Sequence, residues 1–167
     1  MNPRRGFLLI EASVSYVILA LALVALAPLY AMTVKVNAKT QYVKVCTQLS
    51  EELLEEIRLR QWDQKTPSPA AYIVTGSTIG VDSGEIATNK TTFNDIDDFN
   101  GWTESPPKDP TMNSLGNFLN YSRSVSVFYV DSNDNAVAGP TDYKQVTVCT
   151  QYSRMTPICL NTLLTNR

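Results

Sequence analysis

A run of 23 residues without a charge, Ala12 to Val34 (ASVSYVILALALVALAPLYAMTV), constrains this chain more than any other feature. About 20 apolar residues of helix cross a bilayer, so the run reads as a membrane or export segment. Between Arg5 and Lys35 the single charged side chain is Glu11. The Leu, Ala and Val content favours helix, and Pro28 removes one backbone hydrogen bond, which predicts a kink rather than an end. Beyond it a helical pattern continues. Tyr42, Val45 or Cys46, Leu49, Leu53 and Ile57 recur at steps of three or four, while Glu51, Glu52, Glu55, Glu56 and Arg58 take much of the remaining surface. From Phe7 to Trp62 one helix would run about 84 Å at roughly 1.5 Å per residue, too long for the core of a small domain.

Composition excludes much chemistry. There is no histidine, which removes Ser-His-Asp and Cys-His catalysis, HExxH zinc sites and histidine proton shuttling. Three cysteines without a CxxC make neither a structural zinc site nor an iron–sulfur cluster. Fourteen Lys and Arg against 16 Asp and Glu leave no basic excess, so nucleic-acid binding is not expected. Ser105-Pro106-Pro107-Lys108 fits SxxK, but its prolines prevent the helical turn that such a serine–lysine pair needs. The sequons at Asn89-Lys90-Thr91 and Asn120-Tyr121-Ser122 indicate only exposed segments. The chain is not expected to be an enzyme.

An ionised carboxylate costs on the order of 2.5 to 3.5 kcal/mol at a bilayer centre, less near the interface, so Glu11 requires a partner or an interfacial position beside Arg4 and Arg5. The run Arg4-Arg5-Gly6-Phe7-Leu8-Leu9-Ile10-Glu11 resembles the class III signal of type IV pilins and type II secretion pseudopilins. It has a short basic leader, Gly, a bulky first residue, three apolar residues and Glu, placed directly before an uncharged helix. Pro28 lies where many members of that family carry a kinking proline. The resemblance covers residues 1 to 62.

The resemblance implies that a membrane aspartyl peptidase, the prepilin peptidase, cuts after Gly6 and that the new amino group of Phe7 is N-methylated. Loss of Arg4 and Arg5 would take the formal side-chain charge from −2 to −4. In a filament, Glu11 would meet the terminal amine of a neighbouring subunit and neutralise it where water is scarce. The implied partners are other pilin or pseudopilin subunits, the peptidase, and an inner-membrane assembly platform with its ATPase. The helix tail LSEELLEEIRLRQWD and the element around Asp95 resemble minor pilins most. A major pilin remains the alternative within the family, and a signal-anchored or twin-arginine-exported protein the alternative outside it. Arg4-Arg5-Gly6-Phe7-Leu8 also fits a twin-arginine core and Ala25-Leu26-Ala27 an A-x-A site. Glu11 interrupts the apolar region of the first, and Pro28 follows the second directly.

After Asp63 the composition shifts to Pro67, Pro69, Gly76, Gly80 and Gly84, predicting loops and short strands to residue 123, with Tyr72–Thr75 as a first strand. Ser122–Val130 alternates, with Val125, Val127 and Tyr129 on one face. Tyr143–Tyr152 and Thr156–Leu164 are registered as a hairpin centred on Arg154. That register sets Cys149 opposite Cys159, Val148 opposite Leu160 and Thr150 opposite Ile158, within disulfide range. In an exported domain the Cys149–Cys159 disulfide is expected. Cys46 reads as a packed thiol on the apolar stripe.

Two acidic segments raise the question of calcium. Asp131, Asn133, Asn135 and Asp142 match a calcium loop in part, but Ala136 replaces its glycine, and a hairpin turn is favoured. Asp95, Asp97 and Asp98, with Asp109, form a candidate calcium set. Asx turns and caps, with Phe99 and Trp102 anchoring the loop, are the favoured use of the same residues.

The chain is therefore expected to be α+β. It would comprise a leader at 1–6, a membrane or filament-core helix at 7–34, an amphipathic extension at 35–62 and a head with an antiparallel sheet at 63–167. The expected location is the bacterial inner membrane, with the leader cytoplasmic and the head periplasmic, and later a filament.

Overall fold

A computed structural model describes residues 3–64 and 78–166, with side chains from residue 9 onward. The expected strand at Tyr72–Thr75 lies outside the described residues, as do Pro67, Pro69 and Gly76. The chain divides into two units, Met1–Tyr42 and Val43–Arg167. The fold is α+β, as the sequence and the resemblance led us to expect.

Helix α1 runs Pro3–Arg58 and passes through Pro28 without ending. It stops four residues short of the expected end. The last turn tightens, Arg60 N–H donating to Ile57 O at 3.0 Å, and the chain then pairs with the loop at 94–96 through Ile96 N–H to Gln61 O at 3.0 Å. After that departure Trp62 is buried in the head.

In the second unit, helix residues 43–58 lie against an antiparallel sheet of order β1-β2-β3-β4. The strands are β1 Thr103–Glu104, β2 Tyr121–Tyr129, β3 Tyr143–Tyr152 and β4 Ile158–Thr165. The β3/β4 register sets Cys149 opposite Cys159, Val148 opposite Leu160 and Thr150 opposite Ile158. Cys149 and Cys159 are joined in a disulfide on the outer face of the sheet. The core joins Leu53, Leu54 and Ile57 of the helix to Val125 and Val127 of β2 and Val146 and Val148 of β3. Phe93, Phe99 and Trp102 close it from the side, Phe93 standing edge-on to both rings at centroid distances of 5.1 and 5.4 Å. Each fully buried apolar side chain contributes about 1.5 to 3 kcal/mol, so this stripe fixes the helix on the sheet. Cys46 is fully buried on the same helical face. Polar contacts cross the same interface, among them Ser50 Oγ to Thr150 Oγ1 at 2.7 Å, both fully buried.

Strand β1 covers only two residues of β2's edge, so the remaining donors need other acceptors. Val125 N–H donates to Trp102 O at 2.9 Å, and Val127 N–H to the Asn100 side-chain oxygen at 3.0 Å. Gly101, at φ +80°, makes the bend that brings Asn100 and Trp102 to the strand. The aspartate-rich loop is thereby held against β2.

Candidate functional site

Sixteen large apolar side chains between Leu9 and Val36 are 49% or more exposed, and they point in every direction around the helix. At about 1.5 to 3 kcal/mol for each side chain taken from water, their hydration would cost on the order of 30 kcal/mol. That exceeds the net stability of an ordinary domain, so the segment belongs in lipid or against other protein. An 18-residue window reaches a mean hydropathy of 2.4, and the helix is long and apolar enough to cross a membrane. Its serine and threonine hydroxyls are internally satisfied. Ser13, Ser15, Thr33 and Thr40 each donate to the carbonyl four residues back, at 2.8, 2.9, 2.9 and 3.0 Å, the arrangement that lets a polar group sit in hydrocarbon.

Glu11 interrupts this surface. Its carboxylate is exposed and, among the described residues, nothing pairs with it. Gly6 and Phe7 lie in the stretch where only the helical backbone is described, and the Phe7 side chain falls outside the described residues. Pro28 leaves the Val24 carbonyl without its helical donor.

In the head, the face of the sheet toward the helix carries a buried cation at each end. Arg123 and Lys144 occupy core-facing positions of β2 and β3, where Arg123 opposes Thr150 and Lys144 opposes Tyr129. Arg123 pairs with Glu104 and donates to Leu49 O at 2.9 Å and Lys108 O at 2.7 Å. Lys90, fully buried, donates to Glu56 at 2.8 Å and stands 3.8 Å from Glu104. At the other end Lys144 Nζ donates to Asp97 Oδ1 at 2.6 Å and Trp62 O at 2.5 Å. The Trp62 and Tyr129 rings lie 4.7 and 5.4 Å from it. Sequence reasoning missed these cations. The signal was present, since extending the two-residue alternation of Val125 and Val127 back to Arg123, and of Val148 and Val146 back to Lys144, places both on the core face.

The candidate calcium set is corrected by this geometry. Asp95 Oδ1 accepts the N–H groups of Asp97 and Asp98 at 3.1 and 3.3 Å, and its Oδ2 that of Gln64 at 2.7 Å. Asp98 Oδ2 accepts from Asn94 and Asp95, both at 3.0 Å. Asp97 faces Lys144, which already supplies the cation. Asp109 serves a separate turn, accepting from Thr111 and Asn113. Among the described residues no three acidic or sulfur ligands converge on a point that could hold a metal. The turn and capping use of these aspartates is the one the geometry carries. Asp131 likewise accepts the N–H groups of Asn133 and Asn135 at 2.8 and 2.9 Å, closing its own turn.

Electrostatics follow the burial. Asp95 is pushed up to about 8, first by burial and then by the charge of Asp97. Burial also raises Asp97, although Lys144 opposes the shift. Glu85 rises to about 7 through burial and its hydrogen bond with Asp98. Asp109 is held down at about 2 by its Thr111 and Asn113 bonds.

A groove of the head, about 530 Å³, is lined by Gln48, Glu51, Glu52 and Glu55 of the helix and by Lys108 to Pro110, Leu115 and Arg123. Ser105 and Lys108 sit in a bend and a bridge rather than a helical turn, as the prolines between them dictate. No family model, curated protein or solved structure matches the chain.

Proposed function

We propose that the chain is a structural subunit of a type IV pilus-like or type II secretion-like filament, most similar to a minor pilin or pseudopilin. One observation carries the reading: the Gly6-Phe7 junction and Glu11, at the family's fixed offsets, directly precede an apolar helix exposed on all sides. The helix supports two successive environments, because its side chains exchange lipid contacts for similar contacts with other subunits. That exchange yields little net energy per contact, which suits assembly driven by an external ATPase on an inner-membrane platform. Prepilin peptidase would release the mature chain at Phe7, and the head would lie in the periplasm or on the filament surface.

Glu11 acts as an assembly residue. Its carboxylate is matched by the terminal amine of Phe7 on a neighbouring subunit, since either charge alone in a dry helix bundle costs several kcal/mol. Amino-terminal mass spectrometry of the chain from its native membrane tests the proposal. A chain beginning at methylated Phe7 supports it, whereas one beginning at Pro28 or retaining Met1 refutes it in favour of conventional export or a plain anchor. Glu11→Ala is expected to be processed but lost from purified filaments, and incorporation equal to wild type refutes the charge-matching role.

A further inference from the structure

The Lys144–Asp97 contact is an unusual place for a salt bridge. The lysine side chain is fully buried and that of Asp97 is 3% exposed. Burying two full charges ordinarily costs several kcal/mol per ion. The Nζ is held from two sides, by Trp62 O at 2.5 Å and Asp97 Oδ1 at 2.6 Å, against the Trp62 and Tyr129 rings. Asp97 starts a short 3-10 turn, Asp97–Phe99, closed by Asn100 N–H donating to Asp97 O at 2.9 Å. Asp95 lies beside Asp97, accepting its backbone N–H at 3.1 Å, and is pinned by two further backbone N–H groups, those of Gln64 and Asp98.

We infer that Lys144 and Asp97 are joined by an intramolecular isopeptide bond, Nζ to Cγ, formed by the folded head itself. The step balances without a co-reactant. Proton transfer within the ion pair gives an amine and a carboxylic acid. The Nζ lone pair attacks Cγ, the Cγ–O bond breaks, and the oxygen leaves as water carrying the second amine proton. Nothing is oxidised or reduced.

Three features promote it. Fixed juxtaposition replaces a bimolecular encounter, and effective molarities of about 10⁵ M or more in well-oriented pairs outweigh the competition of solvent water. Burial raises Asp97, which favours the carboxylic acid that the attack requires. Asp95, which accepts the Asp97 backbone N–H at 3.1 Å and is pushed up to about 8 by burial, supplies an acid beside the pair that can deliver a proton to the departing oxygen and recover one from nitrogen. The bond would tie β3 to the loop that seals the edge of β2, and it stands independently of the filament reading.

The test is the mass of the full chain extracted in detergent and reduced, compared with Lys144→Arg prepared identically so that any leader processing cancels. The wild type is expected to be lighter than its sequence by one water relative to that reference. Tryptic digestion is expected to yield Thr91–Lys108 joined to a peptide uncut after Lys144. Asp97→Asn is expected to reach the same amide by losing one ammonia. Asp97→Ala is expected to keep full mass. A wild type of full mass with both peptides recovered linear overturns the inference. So does water loss that maps to linear peptides, as from a succinimide, or to any other pair of residues.

Discussion

Replacing Arg123 with methionine removes the cation from one end of the core while keeping most of the side-chain volume. Glu104, fully buried, then loses its ion-pair partner. Leu49 O and Lys108 O also lose their bonds of 2.9 and 2.7 Å. Breaking a buried pair by removing one member costs about 3 to 5 kcal/mol, because the remaining charge is left uncompensated. Lys90, 3.8 Å from the other oxygen of Glu104, offsets part of that, which places the loss in the lower half of the range, about 3 to 4 kcal/mol. At about 4 °C per kcal/mol for a unit of this size, the midpoint should fall by about 12 to 16 °C. Both tryptophans, Trp62 and Trp102, are buried in the head, so fluorescence of the full chain in detergent reports this transition. Replacing Glu104 with leucine in the same chain removes the stranded charge, while Lys90 keeps Glu56 at 2.8 Å. Because a buried ion pair is close to break-even against apolar residues, the double variant should return to within about 1 kcal/mol of wild type. A single variant melting within about 4 °C of wild type, or a double variant no more stable than the single, would refute the reasoning.

Two further outcomes follow from the head. The Cys149–Cys159 disulfide closes a loop with a sequence separation of 10. Its reduction, or a Cys149→Ser/Cys159→Ser variant, should cost about 3 kcal/mol by loop entropy, read as a lower midpoint in reductant. Asp95, at about 8, and Glu85, at about 7, bind protons more tightly folded than unfolded. Their contribution is full below the ordinary carboxylate range and is lost as pH rises toward 8. The melting temperature should therefore fall between pH 5 and pH 8, and Asp95→Asn should flatten that slope; a midpoint that rises over the interval contradicts the burial argument.

The apolar segment, the amphipathic stripe and the hairpin register were legible in the sequence because each depends on local periodicity. A helix buries every third or fourth residue and a strand every second, whatever else the chain does. Leu49, Leu53 and Ile57 are buried at the spacing that predicted them, and Cys149 faces Cys159 because the β3/β4 turn fixes their count. The uses of Asp95, Asp97 and Asp98 were ambiguous, since the same carboxylates suit a calcium shell or a set of turns. The side chain that decides between them, Lys144, comes from a strand 47 residues away.

By itself, then, the sequence determined that this chain carries a helix water will not tolerate, marked by Glu11, together with an α+β head closed by one disulfide. The tertiary structure alone decided where the head keeps its charges. Arg123, Lys90 and Lys144 look like surface residues in the sequence, because charge is solvated by default. They are buried because carboxylates and carbonyls distant in the chain arrive at their side chains on folding, and only that convergence makes burial affordable.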